Sequence, residues 1–364
     1  MSRTSPALDF QVARDDLRNA RQVEVRVPEP QDGEVLLRIE RFAFTSNNIT
    51  YAVFGEAMQY WKFFPAPDGW GRIPVWGFAE VTESKHAQVG VGERIYGYLP
   101  MSTHLIVQPE RVSTAAFMDG STHRRPLPGA YQQYSRVTHD SDFNTENEDL
   151  HALLRPLFFT SFLIDDFLAD NDLFGARAVV LSSASSKTAL GTAFLLKHHG
   201  RCEVIGLTSP ANAAFCAGLG CYDRVVGYDQ LQSLPADTPT VFVDMAGNGT
   251  LLHDIHHHFG DSLKHSCMVG GTHWEQRETQ HALPGPKPEF FFAPTRIKKR
   301  MQDWGPDLGV QFSAAWRPLL QFVAPWLRVV RGQGEKALQS AYCETLEGRT
   351  PPDLGHILSL GRSA

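Results

Sequence analysis

From residue 178 onward the sequence alternates continuous apolar runs with amphipathic stretches, and few architectures accept that rhythm. Ala178-Val179-Val180-Leu181 has no polar member, the pattern of a strand buried on both faces of a parallel sheet. The spacing predicts a helix over 188–199, a second strand over 202–207 and a helix over 211–219. A short third strand over 224–226, a fourth over 240–244, a helix over 249–259 and a fifth strand over 265–270 follow. Strand and helix in this order predict a doubly wound parallel sheet, an α/β fold. Right-handed crossovers would bring the carboxyl end of every strand to one edge, where such sheets bind ligands.

Upstream, the character is different. Residues 21–110 read as short strands between Gly and Pro turns, for example Val35 to Ile39 after Gly33-Glu34 and Arg94 to Tyr98 after Gly90-Val91-Gly92-Glu93. This predicts an all-β unit. Residues 111–149 are polar and turn-rich, with Arg124-Arg125-Pro126-Leu127-Pro128-Gly129, and read as an insertion or long connector. Leu150, Leu153, Leu154, Leu157, Phe158, Leu163, Phe167 and Leu168 recur at helical spacing and predict a helix with a wide buried face. Beyond residue 305 the pattern predicts a helix over 316–330, despite Pro318 and Pro325, then a helix over 335–346. A closing strand over 356–360 has no place in the parallel order.

Composition removes several function classes. A chain of 364 residues suits two domains. Lys+Arg 34 against Asp+Glu 40 gives a net charge of -6, so no general nucleic-acid surface is expected. No apolar run approaches the ~20 residues that cross a bilayer, so no membrane partner is expected either. Met1 to Asp16 has no apolar core beside a basic flank, as a secretory signal would. Five cysteines without a Cys-x-x-Cys pair do not form a disulfide framework or a structural zinc site, and the expected location is the reducing cytoplasm.

The turn after the first parallel strand is the leading binding candidate. Ser182-Ser183-Ala184-Ser185-Ser186-Lys187-Thr188 leads from the strand into a helix. A helix start offers N–H groups and partial positive charge to a diphosphate. The usual glycines are absent; Ser183, Ser185, Ser186 and Thr188 bring hydroxyls, and Lys187 brings an ammonium. The alternative is a serine-rich helix cap with a solvated lysine. A P-loop is excluded, because Ser186 rather than Gly precedes Lys187. The second strand ends on Thr208 and Ser209, not on the Asp or Glu that holds the ribose diol in NAD sites. That favours NADPH, with Lys187, Arg201 and Arg224 as candidate partners of the 2′-phosphate; an ordinary polar turn would look the same. Ala246 and Gly247 after the fourth strand, and Gly270 and Gly271 after the fifth, fall on the same predicted edge and are further cofactor candidates.

Several segments in collinear order resemble the medium-chain dehydrogenase/reductase superfamily, in its zinc-free quinone-oxidoreductase-like and enoyl-reductase-like branch. They are Gly33 to Ile39, Thr45-Ser46-Asn47-Asn48, Ile73 to Val81, Gly90 to Gly97, Leu219-Gly220-Cys221-Tyr222-Asp223 and Val243-Asp244-Met245-Ala246-Gly247. The glycine-poor turn is similar to that of a subfamily of unknown function within this group. The resemblance implies a GroES-like β domain over 1–155, completed by 305–364, and a Rossmann dinucleotide-binding domain over 156–304, with the active site in the cleft. It also implies contact between sheet edges near Phe290-Phe291-Phe292 in a homodimer. Two departures stand out. Trp76-Gly77-Phe78 occupies the place of the Gly-His-Glu of zinc-bearing relatives, with no cysteine before Cys202, so no metal is expected. Ser183, Ser186 and Ala189 replace the glycine pattern, which puts cofactor affinity in question.

What this branch implies is hydride delivery to an activated alkene or a quinone. Such chemistry needs a donor at the carbonyl oxygen and a proton source, and a phenol serves as either. Tyr51 and Tyr60 lie where enoyl reductases carry a catalytic tyrosine, and Asn48 is placed to orient nicotinamide ribose or substrate. Core packing is the alternative for both tyrosines, and an ordinary turn for Asn48. His256-His257-His258 point about 100° apart on a helix and are not expected to share a metal ion. His273 and Trp274 are candidates for lining the pocket. Phe290-Phe291-Phe292 reads as buried sheet-edge packing, and Ile297-Lys298-Lys299-Arg300 as a solvated helix face. The expected activity is reduction of an α,β-unsaturated carbonyl or quinone by NADPH. The rivals are a non-catalytic nucleotide- or acyl-ligand-binding relative, and a domain serving a polyketide or fatty-acid system.

Overall fold

The computed structural model describes residues 6–140, 142–270 and 283–361. The chain divides into two compact units, one of residues 1–154 and 326–364, the other of residues 155–325. The fold is a GroES-like β unit and a Rossmann-type parallel unit.

In the first unit the main sheet is antiparallel through most of its length. Its strand order is Arg328–Gln333, Leu354–Ser359, Val35–Phe44, Pro74–Ser84, Arg94–Pro100, Gln133–Arg136, Ala116–Asp119 and Pro109–Glu110, with His104–Val107 also paired to Val35–Phe44. Strand period sorts the side chains. Val75, Ala79 and Val81 on one strand and Ile95 and Leu99 on its neighbour face the main hydrophobic core of the unit. The alternate residues Trp76, Phe78, Tyr96 and Tyr98 turn to the other face, and the register sets Trp76 opposite Tyr98 and Phe78 opposite Tyr96. Gly97 lies between the two tyrosines because a Cβ there would stand 2.4 Å from the Tyr134 ring.

Two expectations change here, and one about the closing strand holds. Residues 111–149 are not an insertion, since Ala116–Asp119 and Gln133–Arg136 are ladder strands of the main sheet. The helix expected over 316–330 runs from Asp307 to Val323, and Arg328–Gln333 is a strand. Pro325 stops the helix from continuing, and the branched pair Val329-Val330 then pairs in parallel with the closing strand. That closing strand, Leu354–Ser359, joins Val35–Phe44 antiparallel, outside the Rossmann sheet.

In the second unit the strands Ala178–Leu181, Glu203–Thr208, Arg224–Gly227, Thr240–Asp244, Leu263–Met268 and Glu289–Phe290 are all parallel. Numbered along the chain, they lie in the order 3-2-1-4-5-6. This order reverses direction between the first and fourth strands, the position where doubly wound sheets bind dinucleotides. The crossover helices are Lys187–His199, Pro210–Gly218 and Gly249–Phe259.

The edge strand Glu289–Phe290 is exposed, so Phe290 is not the buried residue expected. The basic run is not solvated throughout either. Arg296 and Arg300, one turn apart on Ala293–Asp303, are both buried. Arg296 Nε donates to Asp166 Oδ2 at 2.7 Å and Arg300 Nε to the same oxygen at 2.8 Å. Helical spacing explains the difference: it puts Arg296 and Arg300 on the face that meets the acidic end of the Glu148–Asp170 helix. The three consecutive histidines find three separate sets of partners, and His256 alone is buried, between Ser266 Oγ at 2.9 Å and Pro284 O at 2.8 Å.

Candidate functional site

In the parallel unit the hydroxyl-rich turn sits at the reversal point of the sheet. Its shape is set without glycine. Ser183 adopts a left-handed backbone, φ 45°, where a side chain is strained. Two tyrosines hold it there: the Ser183 N–H donates to Tyr228 Oη at 3.0 Å, and the Tyr222 hydroxyl donates to Ala184 O at 2.7 Å. The Ala184 N–H donates to Leu207 O at 3.0 Å, tying the turn to the second strand. Gly206 makes that approach feasible, since a Cβ there would stand 2.8 Å from the Ala184 Cβ. Burial pushes the hydroxyls of Tyr222 and Tyr228 above the usual phenol range, so both stay neutral hydrogen-bonding groups.

Ser186 caps the following helix, its Oγ accepting from the Ala189 N–H at 3.3 Å. Ser185 Oγ accepts from Asn212 Nδ2 at 3.1 Å. Lys187 and Thr188 open the helix and are partly exposed, as are Ser183, Ser185 and Ser186. Thr208 is buried, with its hydroxyl beside the Cys216 thiol, whereas Ser209 is partly exposed at the start of the next helix. Arg201 and Arg224 stand at the amino ends of the second and third strands, the edge opposite the turn. Of those three, Lys187 alone lies on the edge of the turn.

Ser182 and Asp244 link the turn to the end of the fourth strand. The Ser182 hydroxyl donates to Asp244 Oδ1 at 2.6 Å and accepts from the Met245 N–H at 2.8 Å and the Ala246 N–H at 3.0 Å. The same carboxylate oxygen accepts from Ala246 and Gly247 N–H groups. The Asp244 charge is thereby turned into the protein. Gly247 is left-handed at φ 67°, and Gly270 packs on the Met245 carbonyl, which a Cβ would approach to 2.5 Å. Gly271, His273 and Trp274 lie outside the described residues.

These groups fit a dinucleotide's diphosphate: partly exposed hydroxyls and an ammonium at a helix start, with the nearest carboxylate satisfied internally. Ser182, Asp244, Tyr222 and Tyr228 were not anticipated as site residues. Ser182 and Asp244 each sit at the last residue of a buried strand or one beyond it, a signal that could have found them.

The β unit gathers the second set. Tyr51, Tyr60, Phe63, Phe64, Tyr98 and Leu127 form a buried cluster, with Trp76 and Tyr131 packed on it half-buried. Tyr51 lies 4.7 Å from Tyr60 between ring centroids and 5.5 Å from Tyr98. Trp76 Nε1 donates to Tyr51 Oη at 3.4 Å, and the Tyr60 and Tyr131 hydroxyls are 3.4 Å apart. Both distances are long for hydrogen bonds. Burial raises the Tyr51, Tyr60, Tyr98 and Tyr131 hydroxyls above the usual phenol range. Asn48 belongs to the support of this cluster. Its Oδ1 accepts from the Thr45 N–H at 2.8 Å and its Nδ2 donates to Pro74 O at 2.9 Å, fixing the start of helix Ser46–Val53, which carries Tyr51. Among the described residues no three His, Cys, Asp or Glu side chains converge as a metal site, and no helix is long and apolar enough to cross a membrane.

Solved structures share this fold at low identity. A crystal structure of CurA from Vibrio vulnificus in complex with NADPH superposes with a TM-score of 0.64 at 14% identity, covering 98% of this chain and 100% of that one. One of a putative NADPH:quinone reductase from Mesorhizobium loti gives 0.62 at 12% identity, with 98% and 99% covered. The yhdH oxidoreductase from Salmonella enterica in complex with NADP gives 0.52 at 13%, with 97% and 100% covered. The fold is therefore that of the medium-chain dehydrogenase/reductases. No curated protein matches the sequence. The family described as "Protein of unknown function (DUF2855)" matches residues 42–351, and the chain belongs to that family.

Proposed function

We propose that this chain is a zinc-independent, NADPH-dependent oxidoreductase that reduces an α,β-unsaturated carbonyl or a quinone. The observation that carries the reading is the hydroxyl-rich, lysine-bearing turn at the reversal point of a 3-2-1-4-5-6 parallel sheet. The fold-sharing structures solved with NADPH or NADP support it. In this reading the parallel unit takes the nucleotide and the β unit takes the substrate.

Lys187 and the hydroxyls of Ser183, Ser185, Ser186 and Thr188 would hold the phosphates, and Ser209 would stand by the ribose. Thr208, Ala246, Gly247 and Gly270 would shape the strand ends behind the cofactor. NADPH held there would supply a hydride to the alkene β-carbon or to the quinone. Negative charge then grows on the substrate's carbonyl oxygen, and a neutral phenol, Tyr51 or Tyr60, donates to it. The α-carbon or second oxygen takes its proton from that phenol or from water. Asn48 acts as a positioning residue, because both ends of its amide are engaged in holding the helix of Tyr51. The five cysteines are free thiols, which suits the cytoplasm. The exposed Glu289–Phe290 strand suits a homodimer.

One observation favours a second reading, a nucleotide binder without turnover. The N–H groups of Ser183 and Ala184 are already engaged by Tyr228 and Leu207, which leaves fewer backbone donors for a diphosphate. The test is NADPH consumption, followed by its near-ultraviolet absorbance, over a panel of enones and quinones. Oxidation with one class is expected. Saturable NADPH binding with no oxidation across the panel would replace the enzyme with the binder.

A further inference from the structure

The helix Gly249–Phe259 carries four histidines, at 253, 256, 257 and 258, and their ring nitrogens are not equally occupied. His256 is buried with both nitrogens engaged, by Ser266 Oγ and Pro284 O. His258 likewise meets Gln232 Oε1 at 3.0 Å and Leu234 O at 2.9 Å. His253 and His257 differ from both. They are exposed, and each turns its Nδ1 to an oxygen that only accepts. The Nδ1–H of His257 donates to the His253 carbonyl at 2.9 Å, and that of His253 to the Asp254 carboxylate at 3.3 Å. A neutral imidazole has a single N–H, so with Nδ1 donating the lone pair is left on Nε2. Neither Nε2 has a partner among the described residues.

The two residues are one helical turn apart and share a face. Their rings already stack, with centroids 3.9 Å apart and planes at 25°. Nε2 is the outer nitrogen of each ring, and exposed side chains turn freely, so a small rotation brings both lone pairs onto one point. The spacing is that of the H-E-x-x-H helix, which presents two histidines to one ion. The carboxylate behind His253 Nδ1 is also the outer contact that commonly orients a ligating histidine. Packing gives no reason for the pair, since both rings are exposed, and histidine is only a middling helix former.

The geometry points to a two-histidine chelate, in which His253 Nε2 and His257 Nε2 bind one divalent transition ion of the zinc, nickel or copper class while water completes the shell. Imidazole nitrogen suits these ions; magnesium and calcium take oxygen ligands and are not held. The described residues add no third protein ligand, so the role assigned is binding, a clip across one turn of the helix. The site is separate from the nucleotide turn and does not rest on the reductase reading.

The test uses the tag-free full chain at about pH 8, where ordinary imidazoles are neutral, with nickel(II) chloride as the probe. Calorimetric titration should show saturable nickel binding, and nickel should raise the thermal unfolding midpoint because it binds the folded helix. Magnesium chloride at the same concentration should do neither. His253→Ala and His257→Ala should each weaken nickel at least about tenfold, since either loses the intramolecular advantage of the second ligand. Alanine suits an exposed helix face, so both variants keep the fold. His198→Ala, which removes an exposed histidine from the helix Lys187–His199, should leave nickel affinity unchanged. The five cysteines are present in every variant, so thiol binding cannot produce this pattern. Wild-type nickel affinity in His253→Ala or in His257→Ala would overturn the chelate. No nickel binding, equal binding of magnesium, or a matching loss in His198→Ala would overturn it too. None of these results touches the residues assigned to NADPH, so this proposal and the reductase reading can fail separately.

Discussion

Ser183 shows how a nucleotide turn can be built without its usual glycines. Its left-handed backbone costs a serine roughly 1–2 kcal/mol, and the hydrogen bond from its N–H to Tyr228 offsets part of that cost. Replacing it with glycine removes the steric strain but adds freedom to the unfolded chain, worth roughly 0.5–1 kcal/mol in the opposite direction. Ser183→Gly is therefore expected to raise unfolding stability by about 0.5–1 kcal/mol in urea titration, the difference of those terms. A loss of stability would show that the side chain holds the turn. Tyr228→Phe frees the Ser183 N–H and loosens the turn, so it should cost about 1 kcal/mol of stability in the same assay. The positions that could be named in advance were those whose chemistry is local: Lys187, the four hydroxyls around it, and Tyr51 and Tyr60. Ser182, Asp244, Tyr222 and Tyr228 act across 38 to 64 residues of sequence, and no short window contains both partners.

Element by element, the periodic segments declared themselves. The buried run Ala178–Leu181 and the helix after it have strong, unbroken patterns; the structure places the strand at the expected residues and starts the helix one residue early, at Lys187. Arg328–Gln333 was hidden because Pro325 before it and Gly332 within it blur the pattern and its partner, Leu354–Ser359, lies beyond an intervening helix. The strands of 111–149 were hidden because each is only four residues long. The Ala293–Asp303 helix carries a prediction of its own. Arg300 and Arg296 hold the Asp170 carboxyl well below the usual carboxylate range. A depressed folded value contributes stability above the unfolded value of about 3.9, and that stability is lost as pH falls through the folded one. Fluorescence-monitored unfolding of wild type should thus become steeply easier below about pH 4. Arg300→Met keeps Arg296 on Asp166 and should cost about 1.5–3 kcal/mol at neutral pH, the scale of a hydrogen bond to a charged group. Its acid sensitivity should also be smaller, and an acid profile matching wild type would remove the network from the account.

Two compact units, one a GroES-like β sheet and one a parallel sheet in dinucleotide-binding order, supply the scaffold. The turn at residues 182–188 supplies the claim that the scaffold is used. A ligand that binds only the folded state at 100 times its dissociation constant adds about 2.7 kcal/mol of stability, so saturating NADPH should raise the unfolding midpoint clearly. The most direct measurement is a fluorescence titration of NADPH with wild type and with Lys187→Ala. The account predicts saturable enhancement of the NADPH signal with wild type and affinity at least about tenfold weaker in the variant, the size of a lost charge-assisted hydrogen bond. No enhancement at high protein concentration, or equal affinity in both proteins, would contradict it.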